Sequence, residues 1–177
     1  MTKKCIKKEK YNDRYYTDIL KYIDKEDSFN IFFLPSFSYF PSDKKISKIV
    51  DNSKENLIIK HDYLKIKDYL EVFIKLFKTN KIKYKSINFC NYNITELINN
   101  ELKINRYNPS FFDGLLNYHF IKNLKLDNIK LKCLIDFNEN QSIDKGLILG
   151  IKTFYPKVIT KGYQGYIIST NYNHYIK

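Results

Sequence analysis

The chain has 177 residues, of which 44% are hydrophobic and 16% aromatic, so it can bury a sizeable core and is not a disordered segment. It contains no apolar run near the ~20 residues that a membrane-spanning helix needs, and no secretory signal follows the charged N-terminus. The net charge of +12 rests on lysine, since only two of the 31 basic residues are arginine, and an evenly spread lysine surplus is typical of a solvated surface and disfavours a nucleic-acid partner.

The first part of the chain predicts a basic tail, two helices and two short strands. Residues 1–10 carry five lysines against one glutamate and are predicted to form a basic N-terminal tail. The next elements are a helix over Tyr15–Ile23, a strand over Phe29–Leu34, a strand over Asn56–Lys60 and an amphipathic helix over Tyr63–Phe77.

The rest of the chain predicts strands that alternate with helices. The predicted elements are a strand over Ser86–Cys90, a helix over Thr95–Leu102 with Asn93 as its cap, a helix from Asn108 to Leu124 capped by Asn108 or Ser110, a strand over Lys130–Asp136, a helix from Gln141 or Ser142 to Thr153, and one or two strands within Val158–Ser169. Such alternation is typical of βαβ units, so we expect an α/β fold with a mostly parallel sheet. No repeat or linker interrupts it, and we expect a single domain over residues 11–177.

Glycine is concentrated in one stretch of the sequence. Four of the five glycines lie between Gly146 and Gly165, and the fifth is Gly114. Glycine is used where the backbone takes positive φ or comes close to a ligand or another element. A polar cluster follows the predicted strand in the same region, and in α/β proteins ligands bind at that end of a strand. The cluster consists of Asp136, Glu139, Asn140, Gln141 and Asp144.

Two interpretations of this cluster stay open. Glu139 could act as general base on an acceptor hydroxyl, with the neighbouring amides hydrogen-bonded to sugar hydroxyls. Alternatively, Glu139 and Gln141 cap the following helix, whose N-terminus favours negative charge. The glycines Gly162 and Gly165 are equally compatible with ordinary turns.

The cysteines and histidines predict no metal site. Three widely separated cysteines give neither a disulfide framework nor a Cys-x-x-Cys motif, so we expect reduced thiols in a cytoplasmic protein. His61 with Asp62 is a candidate pair but is better explained as a surface histidine beside a capping residue, and His119 is expected to be packed within an apolar helical face. We therefore expect no metal, and no cofactor, because glycine-rich nucleotide loops are also absent from the sequence.

One stretch of the sequence resembles a known family. The residues from Leu134 to Leu147 contain the string Phe-Asn-Glu-Asn-Gln, and Phe154-Tyr-Pro and Gly162-Tyr-Gln-Gly-Tyr follow. These motifs resemble bacterial surface-carbohydrate biosynthesis proteins, which are GT-B glycosyltransferase-like proteins encoded among capsule and lipopolysaccharide genes. The resemblance covers about the last quarter of the chain. It implies a Rossmann-like three-layer domain that forms one half of an interdomain cleft.

The resemblance also implies roles for individual residues. Glu139 would be catalytic, and the chain would contribute the acceptor-side half of the cleft, with a second domain or chain as the other half. The partners would be a sugar acceptor or a nucleotide-sugar donor, at the inner face of the membrane or free in the cytoplasm. The substrate-binding residues would be Asp136, Asn140, Gln141, Lys145, Tyr163, Gln164 and Gly165.

Two alternatives compete with the transferase hypothesis. One is a non-catalytic α/β binding module that engages anionic lipid or nucleic acid through its lysines. The other arises because Asp136 and Glu139 resemble the acidic pair of metal-dependent nucleases. That second alternative is weaker, since those sites usually contain a Glu-x-Lys motif, whereas here Glu139 is followed by Asn140 and Gln141.

Overall fold

The computed structural model describes residues 6–7, 10–11, 16, 31–36, 42–79, 82–105, 108–137 and 141–163. Backbone contacts divide the chain into two compact units, Met1–Asp62 and Tyr63–Lys177. The single domain expected over residues 11–177 stays a prediction.

The first unit combines a small hairpin with one helix and a strand-like bridge. Strands β1 (Ile6–Lys7) and β2 (Lys10–Tyr11) pair in antiparallel fashion, so part of the predicted basic tail of residues 1–10 is in a strand pair that extends to Tyr11. A parallel bridge joins Phe33 to Leu57, with the Phe33 N–H donating to the Asn56 carbonyl at 2.8 Å. The elements are β1 (Ile6–Lys7), β2 (Lys10–Tyr11), α1 (Asp43–Asn52) and the short α2 (Lys60–Tyr63), which crosses into the second unit.

Long-range contacts hold the hairpin of the first unit in place. The Tyr11 N–H donates to Ser53 Oγ at 3.0 Å, and the Tyr11 ring lies 5.9 Å from the Phe33 ring. Ile49 of α1 is buried. Helix α1 was not predicted from the sequence, although its apolar residues Ile46, Ile49 and Val50 lie at helical spacing.

The two strands predicted in this unit are shorter than expected in the structure, and the predicted helix lies almost wholly outside the described residues. The strands expected over Phe29–Leu34 and Asn56–Lys60 are reduced, within the described residues, to the single bridge between Phe33 and Leu57. The second of them ends early because α2 begins at Lys60. Of the helix expected over Tyr15–Ile23 only Tyr16 is described, so that prediction lies outside the described residues.

The second unit contains most of the described helices and strands. The helices predicted in this unit are confirmed with shifted ends. The strand predicted over Lys130–Asp136 is confirmed as β5 (Cys133–Phe137). Beyond Tyr163 the last predicted strand lies outside the described residues. The elements are α3 (Ile66–Thr79), β3 (Asn88–Phe89), β4 (Tyr92–Asn93), α4 (Thr95–Asn105), α5 (Pro109–Leu126), β5 (Cys133–Phe137), α6 (Ser142–Phe154) and β6 (Ile159–Tyr163).

Local sequence chemistry explains where these elements begin. Asn108 is the N-cap of α5, and its Oδ1 accepts from the Ser110 N–H at 2.9 Å, as predicted. The Thr95 N–H donates to Asn93 Oδ1 at 3.0 Å before α4. The strand predicted over Ser86–Cys90 is the two-residue β3, because the chain turns back at once into β4 through Cys90 and Asn91, both with positive φ.

Strands β5 and β6 form a parallel pair. Their register places Asp136 opposite Gly162 and Phe137 opposite Tyr163, and α6 lies between them in the sequence. The sheets of the described residues each have two strands, β1–β2, β3–β4 and β5–β6. The chain is thus a mixture of helices and strands with one parallel pair, and a wider sheet stays a prediction.

The core of the second unit lies where α5 packs against α6. A Cβ added to Gly146 would overlap the Gly114 carbonyl, and one added to Gly114 would overlap the Ser142 carbonyl, so the two backbones are in direct contact. None of the described glycines has positive φ, so these two serve close approach and not a turn. The buried apolar residues of this unit are Val72, Leu116, Phe120, Ile121, Leu124, Leu147, Ile151 and Tyr155.

Helix α3 does not bury its apolar stripe. Asp68 and Val72 are its buried residues, whereas the apolar residues that mark the helix in the sequence are exposed. No helix within the described residues has the length and apolar character to cross a membrane. The exposed apolar residues of α3 are Ile66, Leu70, Phe73, Ile74 and Phe77.

Candidate functional site

The carboxyl ends of β5 and β6 lie side by side and bring two aromatic rings together. Phe137 and Tyr163 are register partners on the parallel strands, and their ring centroids lie 5.9 Å apart with a 50° angle between the planes. Tyr163 is 43% exposed. The ring pair therefore offers a partly solvated aromatic surface at the end of the sheet where ligands of α/β proteins bind.

A carboxyl group with altered acidity lies one residue before this ring pair. Asp136 is half-buried, and within the described part of the chain its Oδ2 has no hydrogen-bond partner. Burial raises the pKa of Asp136 to about 6, and the negative charge of Asp144 adds to the shift. Near neutral pH this carboxyl group is able both to accept and to release a proton, which a general acid or base requires.

The start of α6 accounts for the position of Asp144. Gln141 is the N-cap residue, and its backbone N–H donates to Asp144 Oδ2 at 2.9 Å. This bond satisfies one of the unpaired amides at the helix terminus and fixes the carboxylate close to Asp136. Gln141 was predicted either to bind substrate or to cap the following helix. Its position as the N-cap residue of α6 agrees with the capping role.

The structure describes half of the residues predicted for the site. Asp136 and Tyr163 lie on neighbouring strands, one register position apart, and Gln141 begins the next helix. Lys145 is exposed and lies near the start of α6. The predicted catalytic residue Glu139 lies outside the described residues, as do Asn140, Gln164 and Gly165.

A second polar cluster, which the sequence analysis did not find, lies between α3 and α5. It joins Asp68 and Glu71 of α3 to His119 and Asn123 of α5. His119 Nδ1 lies 3.3 Å from Asp68 Oδ1 and 3.8 Å from Glu71 Oε2. Asn123 Nδ2 donates to Asp68 Oδ2 at 2.7 Å and to the Tyr63 carbonyl at 2.8 Å.

Burial, hydrogen bonds and neighbouring charges shift the pKa values of Asp68 and His119 in this second cluster. Burial raises the pKa of Asp68, but the Lys65 N–H at 2.8 Å, the Asn123 amide and the charges of His119 and Lys122 outweigh it, so the pKa lies below its usual value. Burial lowers the pKa of His119, and the charge of Lys75 lowers it further, against the opposing effect of Asp68. Burial and the charge of Lys75 thus favour the neutral ring of His119, whereas hydrogen bonds and positive charge favour the charged carboxylate of Asp68.

Only a weak signal in the sequence could have identified this cluster. Asp68 and Glu71 are three residues apart, and His119 and Asn123 four apart, so each pair shares one helix face. Acidic pairs at this spacing are usually solvated, and His119 was interpreted as a packed residue. The two helix faces are brought together by tertiary packing between residues more than fifty positions apart, which a single sequence does not reveal.

Comparisons with protein-family models, with curated protein sequences and with solved structures find no match to this chain. The interpretation of both clusters consequently rests on the geometry of their own residues. We call the first, Asp136 with Phe137 and Tyr163, the strand-end site. We call the second, Asp68 with Glu71, His119 and Asn123, the helix-pair cluster.

Proposed function

We propose that the chain is a glycosyltransferase-like domain of surface polysaccharide biosynthesis, which binds sugar at the strand-end site. The observation that carries the proposal is the combination of a carboxyl group of raised pKa with an adjacent aromatic pair at the carboxyl end of two parallel strands. The motifs that resemble surface-carbohydrate biosynthesis proteins occupy the same stretch of sequence. Both lines of support concern the same residues.

The chemistry of the strand-end site suits a carbohydrate. Sugar rings present apolar C–H faces and many hydroxyl groups, so they match an aromatic surface flanked by a few polar groups. Tyr163 and Phe137 supply the aromatic surface, and Asp136 supplies a hydrogen-bonding carboxyl group. In the sequence, Asn138 follows Phe137, and Glu139, Asn140 and Gln141 come next and supply further polar groups.

In this proposal Glu139 removes the proton from an acceptor hydroxyl as that oxygen attacks the anomeric carbon of a nucleotide-sugar. The nucleoside diphosphate leaves with the bonding electrons. Lys145, Gln164 and Gly165 belong to the proposed substrate contacts.

The proposal includes a larger architecture. We infer a Rossmann-like three-layer domain, because a parallel strand pair joined through a helix is the repeating unit of that fold. A cleft needs two walls, so a second domain or a second chain would complete the donor site. Cytoplasmic location, with contact to the inner face of the membrane through lysines, completes the proposal.

Binding is tested by calorimetry and ligand-observed NMR with a panel of uridine-, guanosine- and cytidine-based nucleotide-sugars and short oligosaccharides. We expect at least one compound to bind. Tyr163→Ala should weaken its affinity at least tenfold, because the aromatic surface is lost. Tyr92→Ala removes an exposed tyrosine from β4 and is the matched control, which should bind like the wild type.

The binding proposal is wrong if no compound of the panel binds, or if Tyr163→Ala binds as tightly as the wild type. Anionic phospholipid vesicles are included in the same assay. Vesicle binding that Tyr163→Ala leaves unchanged, without sugar binding, would support the lysine-rich binding module instead.

Catalysis is tested separately, by measuring nucleoside diphosphate released from the bound nucleotide-sugar in the presence of an acceptor. Glu139→Gln should lower the rate about 10²-fold or more, because the general base is lost. Glu101→Gln, an exposed glutamate of α4, is the matched control. Equal rates for Glu139→Gln and the wild type would exclude Glu139 as the base.

A further inference from the structure

The helix-pair cluster contains buried polar atoms without hydrogen-bond partners. Asp68 is 0% exposed and His119 is 2% exposed. Within the described residues, Asp68 Oδ1 and both ring nitrogens of His119 have no hydrogen-bond partner. Burying such groups unpaired costs on the order of 1–3 kcal/mol each, so their arrangement requires an explanation.

The distance between His119 and Asp68 matches that between two ligands of one metal ion, and Glu71 lies slightly further away. Two ligand atoms ~2.0–2.1 Å from a tetrahedral ion lie ~3.3–3.4 Å apart. His119 Nδ1 lies 3.3 Å from Asp68 Oδ1 but without hydrogen-bond geometry, and 3.8 Å from Glu71 Oε2. One ligand atom from each of the three side chains lies within 4.8 Å of the others.

Neighbouring groups orient the Asp68 carboxylate for this role. Its Oδ2 accepts from the Lys65 N–H at 2.8 Å and from Asn123 Nδ2 at 2.7 Å. These two bonds occupy one oxygen and leave Oδ1 directed towards His119. Hydrogen bonds to the outer oxygen of a ligating carboxylate are typical of metal sites, where they fix ligand geometry.

We propose that Asp68 Oδ1, Glu71 Oε2 and His119 Nδ1 bind one divalent transition-metal ion. The imidazole nitrogen favours a Zn²⁺-class ion, because Mg²⁺ and Ca²⁺ prefer ligand sets made only of oxygen. Two carboxylates balance the double charge of the ion. The Glu71 side chain is 47% exposed, so the ion enters from solvent on that side and a water molecule takes the fourth position.

This proposal is independent of the sugar-binding proposal and departs from the expectation of no metal drawn from the sequence. That expectation rested on the absence of a second histidine or of cysteines at ligand spacing. Two carboxylates on one helix and a histidine on another provide three metal ligands without any local sequence motif.

The test uses the full chain with Cys5, Cys90 and Cys133 changed to serine, so that thiols cannot bind the probe ions. The protein is stripped with a chelator and titrated with Zn²⁺, Co²⁺ and Mg²⁺ by calorimetry, with metal content measured after dialysis. We expect one Zn²⁺ per chain, at least 100-fold tighter than Mg²⁺, and the intense visible absorption of tetrahedral Co²⁺.

Two variants locate the site. Glu71→Gln changes a partly exposed ligand, should fold normally and should weaken Zn²⁺ binding at least tenfold, whereas the matched control Glu96→Gln on α4 should not. His119→Gln should abolish the Co²⁺ absorption, with exposed His61→Gln as control, and circular dichroism reports whether the His119 variant folds. If His119→Gln unfolds, Glu71→Gln decides.

The proposal is overturned if the folded chain binds no stoichiometric Zn²⁺, or if Glu71→Gln binds it as the wild type does. In either case the cluster is a buried histidine–aspartate pair that serves packing alone.

Discussion

Asp68 and Asp136 are two carboxylates withdrawn from solvent that have opposite surroundings. Asp68 accepts two hydrogen bonds and lies beside positive charge, and these offset its burial, so its pKa falls. Asp136 is half-buried and has the carboxylate of Asp144 nearby, so its pKa rises to about 6. Burial opposes the charged form of both side chains, and only the hydrogen bonds and positive charges around Asp68 reverse this effect.

The raised pKa of Asp136 predicts a dependence of stability on pH. The folded chain binds a proton at Asp136 that the unfolded chain releases near pH 4, so the free energy of unfolding should fall as pH rises from about 4 to about 6. Asp136→Asn removes the buried charge. It should raise the free energy of unfolding at pH 7–8 by about 1–3 kcal/mol and change it little at pH 4.

Urea denaturation of the wild type and of Asp136→Asn at pH 4, 5, 6 and 8 measures this effect. The exposed Glu96→Gln on α4 is the control, whose difference from the wild type should not vary over that range in the same way. A difference for Asp136→Asn that is constant between pH 4 and pH 8 would contradict the raised pKa.

At the scale of elements, the crossing of α5 and α6 organises the second unit. Glycine in a helix costs about 1 kcal/mol relative to alanine, yet Gly114 and Gly146 both lie within helices. Their lack of a side chain allows the two backbones to touch. Close approach in turn lets residues such as Phe120 and Ile151 bury fully.

Gly146→Ala should therefore destabilise the protein in spite of its better helix propensity. The new methyl group would overlap the Gly114 carbonyl, which is backbone and cannot move without shifting α5. We expect the free energy of unfolding to fall by about 2–3 kcal/mol. Urea denaturation measures it, with the exposed Lys152→Ala on the same helix as control, expected within about 0.5 kcal/mol of the wild type.

A Gly146→Ala variant as stable as Lys152→Ala, or more stable, would show that the two helices do not cross at these glycines. The overlap with the Gly114 carbonyl would then have to be absent in solution.

At the scale of the whole molecule, the chain divides into two units, and most of the buried apolar residues among those described lie in the second. In the unit Met1–Asp62 only Ile49 and Ile59 are buried apolar residues among those described. In the unit Tyr63–Lys177 the buried apolar residues come from α3, α5 and α6 and from Tyr155 just after α6. The strand-end site and the helix-pair cluster both belong to this second unit.

Residues 63–177 should fold when produced alone, because their described residues include eight buried apolar side chains. We expect a helical circular dichroism spectrum and a cooperative urea transition for this fragment. Residues 1–62 alone should show no cooperative transition, since so short a chain buries a smaller fraction of its surface on folding and offsets less of its conformational entropy. A non-cooperative transition for 63–177 would contradict the expectation.

Local chemistry in the sequence was sufficient to predict many elements. Asn108 followed by Pro109 identified the start of α5, and the apolar run before Asp136 identified β5. The order of strand, polar loop and helix in the sequence agrees with β5 and α6, and it predicts a ligand site at the carboxyl end of β5. These features depend on residues within a few positions of one another, so they are present in any single sequence.

The sequence by itself determined the helices α3 to α6, the caps at Asn93 and Asn108 and the strand β5, because these depend on neighbouring residues. Only the tertiary structure decided that α3 buries Asp68 and Val72 and leaves Phe73 exposed, and that Asp68 meets His119. Likewise, the glycines that the sequence placed near a ligand loop include two, Gly146 and Gly150, that face α5. Which face of a helix is buried depends on contacts between distant residues, and periodicity alone does not encode them.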